Sequence, residues 1–367
     1  MQRLERPKPR PPAAWSQGPK LPSRTALTIL LAAGLCMPSH LLGQRPPSRW
    51  ILAYAADAGR IPYSTADFIR LIAVVDTSGH PKDWLFDGVI CVVQRMAKRG
   101  RFITWLGPPY ATGDDWEAYL DSLFAGGGVL ARLDSAVGVV GSRVGEPAHS
   151  LAVSLTVPYP EPKVDTLRLF GDRYDLGTVE GRSRAATAFV RSALGRFQTM
   201  RFRHLTLDSF YWMHETISGE EEQVVPLVAE RVHAAEKRFL WIPFYGAAGV
   251  TTWKQWGFDE AFLQPNYFFN VSVPTTRLDS AVARARALGM GLEIEFDARL
   301  FTKPDQFADR LDPYLLVLDS APDVRARSIA LFDGAGALVR LSSSADPQYH
   351  RRYCGLVKVL RGREDSC

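Results

Sequence analysis

Cysteine is scarce in this chain, with four in 367 residues, at positions 36, 91, 354 and 367. So few exclude a disulfide-stapled scaffold, and no two have the spacing of a zinc site. Histidine is also sparse, seven in all, with too few at predicted strand ends to furnish zinc ligands. Long apolar runs are missing too. The stretch Ala26–Leu35 falls well short of the ~20 residues a spanning helix needs, so no integral membrane span is expected. No glycine-rich phosphate loop follows the first predicted strand, which argues against a dinucleotide-binding sheet. Internal repeats and low-complexity segments are absent. What is present, 46% hydrophobic and 23% charged residues, is enough to bury a core without metals or disulfides.

The net charge of +5 suggests an anionic partner until it is located. The first 43 residues hold six basic side chains (Arg3, Arg6, Lys8, Arg10, Lys20, Arg24) and one acid, Glu5. Removing them from the 44 basic and 39 acidic residues leaves 38 of each. The remainder is neutral and gives no case for nucleic-acid binding. The leader itself runs basic and Pro-rich to Arg24, apolar from Ala26 to Leu35, then small and polar to Gly43-Gln44. That order is the order of a secretory signal peptide. Residues 1–43 are therefore expected to be a signal peptide, residues 44–50 a linker, and the mature chain to be secreted or periplasmic. Leu41 is larger than a cleavage enzyme prefers at −3. Cys36 raises lipoprotein anchoring as the less favoured alternative, since Leu35 stands where a small residue is expected. Cys91 sits in an apolar run and reads as a core residue. Cys354 and Cys367 either pair or stay free.

From residue 51 to the end, short apolar β-rich runs alternate with longer amphipathic ones. The predicted strands are Arg70–Asp76, Gly88–Val93, Leu151–Val157, Leu205–Tyr211, Phe239–Tyr245, Ala261–Asn266, Gly291–Phe296 and Ser328–Phe332. An extra strand around Ile51–Ala56 would change that numbering. Helix starts are read at Asp114 before Glu117 and at Ser218 before Glu221, and at Thr302 ahead of Pro304. Gly289 is read as a helix stop. Eight strands alternating with helices predict an α/β fold, a (β/α)8 TIM-type barrel forming a single domain over 51–367. The segment Arg101–His149 is an insertion after the second strand.

In such barrels the C-terminal strand ends line the active site. The run Leu292–Asp297 alternates with period two, so Glu293, Glu295 and Asp297 share one face while Leu292, Ile294 and Phe296 take the other. The apolar set belongs against the helices, which turns the acids inward. Buried carboxylates cost several kcal/mol unless paired or hydrogen-bonded. The alternative to a functional role is an internal salt bridge, and few inward basic partners are available for one. Glu215, just past the fourth predicted strand, adds a second acid at the same face; alone it reads equally well as a solvated loop acid. An acid after strand four with an acid on strand seven is the layout of retaining glycosidase barrels, whose carboxyls stand ~5–5.5 Å apart.

Aromatic residues support a sugar ligand, because flat rings stack on the apolar faces of sugar rings. Trp212, Trp241, Tyr245, Tyr267, Trp253 and Trp256 fall at or just after predicted strand ends, and Tyr159 ends the third. Any one of them is more often core packing than a ligand platform, and it is the six near one rim that favour a sugar. Gln264 and Asn266 offer amides to hydroxyl groups. Asp76 ends the first predicted strand, Asp208 lies within the fourth as a supporting acid beside Thr206, and His214 stands where it could orient Glu215.

The runs Leu85-Phe-Asp-Gly88, Val157-Pro-Tyr-Pro160, Phe210-Tyr-Trp-Met-His-Glu215, Trp241-Ile-Pro-Phe-Tyr-Gly-Ala-Ala-Gly249, Gly257-Phe-Asp259, Gln264-Pro-Asn-Tyr-Phe268 and Gly289-Met-Gly-Leu-Glu-Ile-Glu295 resemble the bacterial domain of unknown function 4855 family, in order and over nearly the whole mature chain. Phe244 and Ser209-Phe210 depart from the Tyr and Gly-Phe expected there. The resemblance implies a glycosidase-like barrel in an exported protein, with Glu215, Glu293 and Glu295 at the acidic motif positions and no substrate to carry over.

The reading that joins these features is a secreted glycoside hydrolase acting on a polysaccharide or glycan. Glu215 is its acid/base, Glu295 its nucleophile and Glu293 a deeper support, with no metal and no cofactor. Its rivals are a glycan-binding barrel without catalysis, and a metal-assisted hydrolase with Asp76, Asp208, Glu293 and Glu295 as oxygen ligands.

Overall fold

The computed structural model describes residues 49–54, 63–96, 100–102, 107–147, 149–334 and 336–362. The predicted signal peptide and residues 44–48 of the predicted linker lie outside them. The linker's last two residues do not belong to it, because Arg49 and Trp50 open the first barrel strand.

Among the described residues twelve strands are formed: β1 (Arg49–Tyr54), β2 (Ala73–Val75), β3 (Pro81–Trp84), β4 (Gly88–Val92), β5 (Leu151–Val157), β6 (Thr166–Leu169), β7 (Asp172–Asp175), β8 (Leu205–Trp212), β9 (Arg238–Trp241), β10 (Glu260–Leu263), β11 (Gly291–Asp297) and β12 (Ile329–Gly334). Eight of them close a parallel barrel in the order β1-β4-β5-β8-β9-β10-β11-β12, and the ring shuts where β1 pairs with both β12 and β4. This is the (β/α)8 architecture expected from the alternating pattern. Parallel strands buried on both faces read as continuous apolar runs, which is why Gly88–Val92 and Leu151–Val157 were legible.

The helices around the ring are α1 (Thr65–Ile72), α2 (Gly113–Phe124), α3 (Val129–Val144), α4 (Val179–Met200), α5 (Glu221–Ala234), α6 (Thr276–Leu288), the single turns α7 (Arg299–Thr302) and α8 (Pro304–Phe307), and α9 (Asp312–Asp319). Gly289 ends α6 in the left-handed conformation at φ 67°, as its position predicted. The other cap assignments shift. Thr112 and Asp115, not Asp114 and Glu117, form the capping box of α2. Neither α5 nor α8 has a side-chain cap.

The first predicted strand is corrected. Ser64 and Asp67 form a capping box, and Phe68, Leu71 and Ile72 make one buried face, so residues 65–72 are helix α1. Only Ala73–Val75 is extended, and it pairs antiparallel with β3 outside the barrel. The true first strand is Arg49–Tyr54. Asp76 therefore stands between the end of α1 and the start of β4, at the opposite end of the barrel from the strands' C-terminal mouth. There it accepts from the His80 backbone N–H at 3.0 Å and pairs with Lys82 at 3.2 Å. The His80 amide is the larger influence, and together they hold its carboxyl at about 2.

The insertion after the second barrel strand carries α2 and α3. Gly113–Val144 is long and apolar enough, by length and composition, to cross a membrane. Gly128 caps a new helix there, and Tyr119, Leu123, Leu130, Leu133 and Val137 are buried in the core. The β6–β7 hairpin lies against α2. A Cβ on Gly113 would meet the Arg168 carbonyl at 1.5 Å, so that approach requires glycine. Cys91 is free and buried, whereas Cys354 is disulfide-bonded to a partner outside the described residues.

Two cores separate at the strands. The larger one fills the space between barrel and helices. The smaller lies inside the ring, where Trp50, Leu52, Ile90, Leu240 and Phe262 pack. Below them an ionic layer closes the bottom: Arg238 pairs with Asp208 at 2.7 Å and with Glu260 at 2.9 Å.

Candidate active site

A cavity of about 620 Å³ opens at the C-terminal ends of the strands, above the inner apolar layer. Its floor and one wall come from β11. Period-two alternation holds along that strand, so Glu293, Glu295 and Asp297 all line the cavity while Leu292, Ile294 and Phe296 are buried outside the ring. Glu215, three residues past β8, reaches the same cavity.

The three glutamates differ in what holds them. Glu295 is 1% exposed. Tyr314 on α9 donates its hydroxyl to Oε2 at 2.6 Å. The backbone N–H groups of Tyr267 and Asn266 donate as well, and Asn266 takes the left-handed conformation at φ 51° where it does so. The other oxygen, Oε1, is buried without a partner. Burial pushes the Glu295 carboxyl up to about 7, with Tyr314 and the two amides restraining the rise. Glu293, 2% exposed, has no hydrogen-bond donor among the described residues. Burial first, then the charges of Glu295 and Glu215, raise its carboxyl well above the usual range. Glu215 is also raised by burial, against the Gln264 amide and His214, which favour its charged form.

No lysine or arginine pairs with these three acids among the described residues, so the internal salt bridge weighed from the sequence is not formed there. Among the described residues Arg299 is the arginine that lines the mouth, and it is engaged. Its Nη2 lies 3.0 Å from Asp297 Oδ2, its Nη1 donates to the Phe269 carbonyl at 3.3 Å, and its guanidinium sits over Phe307.

Of the other predicted site residues, Tyr159, Gln264 and Asn266 line the cavity. Tyr159 stacks on His214 with ring centres 4.3 Å apart, and its hydroxyl accepts from Arg182 at 2.9 Å. Asn266 donates to Gln264 at 3.2 Å and Gln264 to the Ile242 carbonyl at 3.0 Å, so one amide orders the next.

Six predicted binding residues are elsewhere. Asp76 and Asp208 lie at the other end of the barrel, in the ion pairs described above. Trp212 and Trp241 are fully buried on the outer face of the sheet. Trp212 donates to Glu221 at 2.9 Å, and Trp241 to the His214 carbonyl at 2.8 Å. Tyr245 is held under Arg277, 4.2 Å from its ring centre. Tyr267 is buried edge-on to Tyr314 and contributes only its backbone. Trp253, read with them as a sugar platform, is buried and bonded to the Leu288 carbonyl, and Trp256 is outside the lining.

Strand parity accounts for the tryptophans. Tyr211 and Met213 face inward on β8, as do Leu240 and Ile242 along β9, so Trp212 and Trp241 face out. The register of β8 slips between Leu207 and Ser209, leaving Asp208 as the extra residue. The aromatic walls of the cavity are instead Tyr54, Phe102, Tyr159, Tyr211, Phe269 and Phe332. Tyr54 ends the strand the sequence reading treated as an extra, and Phe332 ends the last one; both were findable by the strand-end rule.

His214 has a partner that sequence reasoning assigned to a cap. Its Nδ1 lies 2.8 Å from the buried Glu221 carboxylate at the start of α5. The imidazole is thereby fixed at the cavity edge beside Glu215.

The four oxygen donors proposed for a metal are not assembled, because Asp76 and Asp208 are far from Glu293 and Glu295. Among the described residues no group of three His, Cys, Asp or Glu is arranged to hold a metal ion.

A family model described as domain of unknown function (DUF4855) matches residues 49–358. No curated protein matches the chain. Among solved structures, a family 18 chitinase from Crocus vernus aligns over 83% of this chain and 98% of its own at 10% identity, with a TM-score of 0.39. A mutant tryptophan synthase alpha-subunit from Pyrococcus furiosus aligns over 86% and 98% at 10% identity, TM-score 0.38. An intracellular xylanase from Thermoanaerobacterium saccharolyticum aligns over 79% and 86% at 10% identity, TM-score 0.38.

Proposed function

This chain belongs to the DUF4855 family, and from that premise we propose that it is a secreted glycoside hydrolase acting on a polysaccharide or glycan through two carboxylates. The observation that carries the reading is the mouth of the barrel, where Glu215 and Glu295 share an aromatic-walled cavity with their carboxyls in different settings. Two carboxyls in one site must be kept in opposite protonation states to act as acid and nucleophile.

Burial raises Glu295 to about 7, so its role as nucleophile belongs to the fraction of the protein in which it is ionised. Three donors converge on it, which favours charge on an otherwise costly buried group. Glu215, also raised by burial, serves as the acid/base, carrying the proton in the form of the site where Glu295 is ionised. As the glycosidic C–O bond breaks, Glu215 gives its proton to the leaving oxygen and a Glu295 oxygen bonds to the anomeric carbon. Water then gives a proton to Glu215 and its oxygen to that carbon, which releases Glu295. A separation of ~5–5.5 Å between the carboxyls suits this retaining course, and ~6.5–9.5 Å an inverting one. His214, held by Glu221, positions the Glu215 loop.

Incubation of the mature protein with a panel of polysaccharides, read as released reducing sugar, tests this. Activity that Glu215→Gln lowers by about 100-fold or more is the expected result. Binding of a glycan by wild type and variant alike, without release, would replace the hydrolase with a binding barrel.

A further inference from the structure

The proposed sugar site has an electrostatic asymmetry that a neutral sugar would not relieve. Glu293 is fully buried yet lines the cavity, and it finds neither a hydrogen-bond donor nor a cation among the described residues. Glu295 adds a second unpartnered oxygen, Oε1, buried beside the same space. Of the basic groups that line the cavity among the described residues, Arg299 is held by Asp297 and His214 by Glu221. Among the described residues Glu293 and Glu295 thus have no cationic partner and Glu215 has only His214 beside it, while each carboxyl raises the energy of its neighbours' ionised forms.

A hydroxyl can satisfy one acceptor but brings no charge. An ammonium brings both, with three donors free to turn toward separate oxygens, and the rings of Tyr211, Phe269 and Phe332 around it suit a cation. The same carboxyls do not converge as metal ligands must, whereas an ammonium tolerates looser geometry.

We propose that the cavity selects a cationic amino sugar, a glycan whose sugar in the mouth carries a free, non-acetylated amine seated against Glu293 and Glu295. This rests on reading the cavity as a sugar site, and it deepens that reading by naming the substrate class.

Binding decides it apart from turnover. Titration calorimetry on the Glu215→Gln protein, which cannot turn over under the proposed mechanism, would use oligosaccharides of glucosamine and of galactosamine, their N-acetylated forms, and neutral oligosaccharides of glucose and galactose. Aminated ligands should bind about tenfold or more tightly than both other sets. Adding Glu293→Gln should abolish that preference without lowering Tm. Equal or tighter binding of acetylated or neutral sugars overturns the amino-sugar assignment and leaves the hydrolase standing. Calcium binding alone that depends on Glu293 overturns it in favour of a metal site. No binding by any sugar, with no polysaccharide hydrolysed by the wild type, overturns both readings.

Discussion

Glu295 is the residue on which the chemistry turns, and Tyr314 is the group that tunes it. The Tyr314 hydroxyl favours the charged form of Glu295, whose carboxyl titrates at about 7. Since the nucleophile must be ionised, activity should rise as pH passes through that value. Tyr314→Phe removes one donor to the anion, so the acidic limb of the kcat profile should move alkaline by roughly one unit. An unmoved limb would mean that Glu295 is not the group being ionised. Glu293 makes a prediction of opposite kind, about stability. Its folded-state carboxyl is raised above 4.5, so the native protein holds that proton more tightly than the unfolded chain. The stability so gained is full below the unfolded value and is lost as pH rises through the folded one. Glu293→Gln should therefore raise Tm at neutral pH, with the advantage fading toward about pH 4. A lower Tm for the variant at neutral pH would show that a partner pays for that charge.

Among the elements, β8 and the start of α5 form a unit that the sequence only half disclosed. The run Leu205–Tyr211 was legible as a strand, one residue short of β8, and Glu215 as a mouth acid, because both follow from apolar patterning and the strand-end rule. The bulge at Asp208 leaves no mark in the apolar pattern, and tryptophans at a predicted rim read as ligand platforms when they are in fact outer-face core. Glu221 has the spacing of a capping-box acid from Ser218. Instead it accepts from Trp212 and holds His214, contacts that depend on how α5 docks and not on local spacing. Glu221→Ala should leave the buried Trp212 N–H unsatisfied and cost about 1–3 kcal/mol in denaturant unfolding; no loss would mean that this junction is not held by Glu221. Arg70–Asp76 failed for a related reason, since apolar residues every three to four positions and a Ser64–Asp67 cap outweigh a short β-rich run. β11 was read correctly in its faces and one residue short at its end, because its alternation is strict over seven residues.

At the scale of the whole molecule the two ends of the barrel do different work. The lower end is closed by paired charges, Arg238 with Asp208 and Glu260, and Asp76 lies at that end, tied to Lys82. The upper end keeps Glu293 and Glu295 without a cationic partner among the described residues, in a cavity walled by aromatic rings. Such a division suits a barrel whose lower end serves stability and whose mouth serves chemistry. The most direct measurement compares Glu295→Gln with Asp76→Asn on the polysaccharide that the wild type cleaves. Loss of sugar release by orders of magnitude in Glu295→Gln, beside near wild-type release in Asp76→Asn, is the predicted result. Full release by Glu295→Gln would contradict the account, since the carboxyl held by Tyr314 would then have no part in breaking the bond.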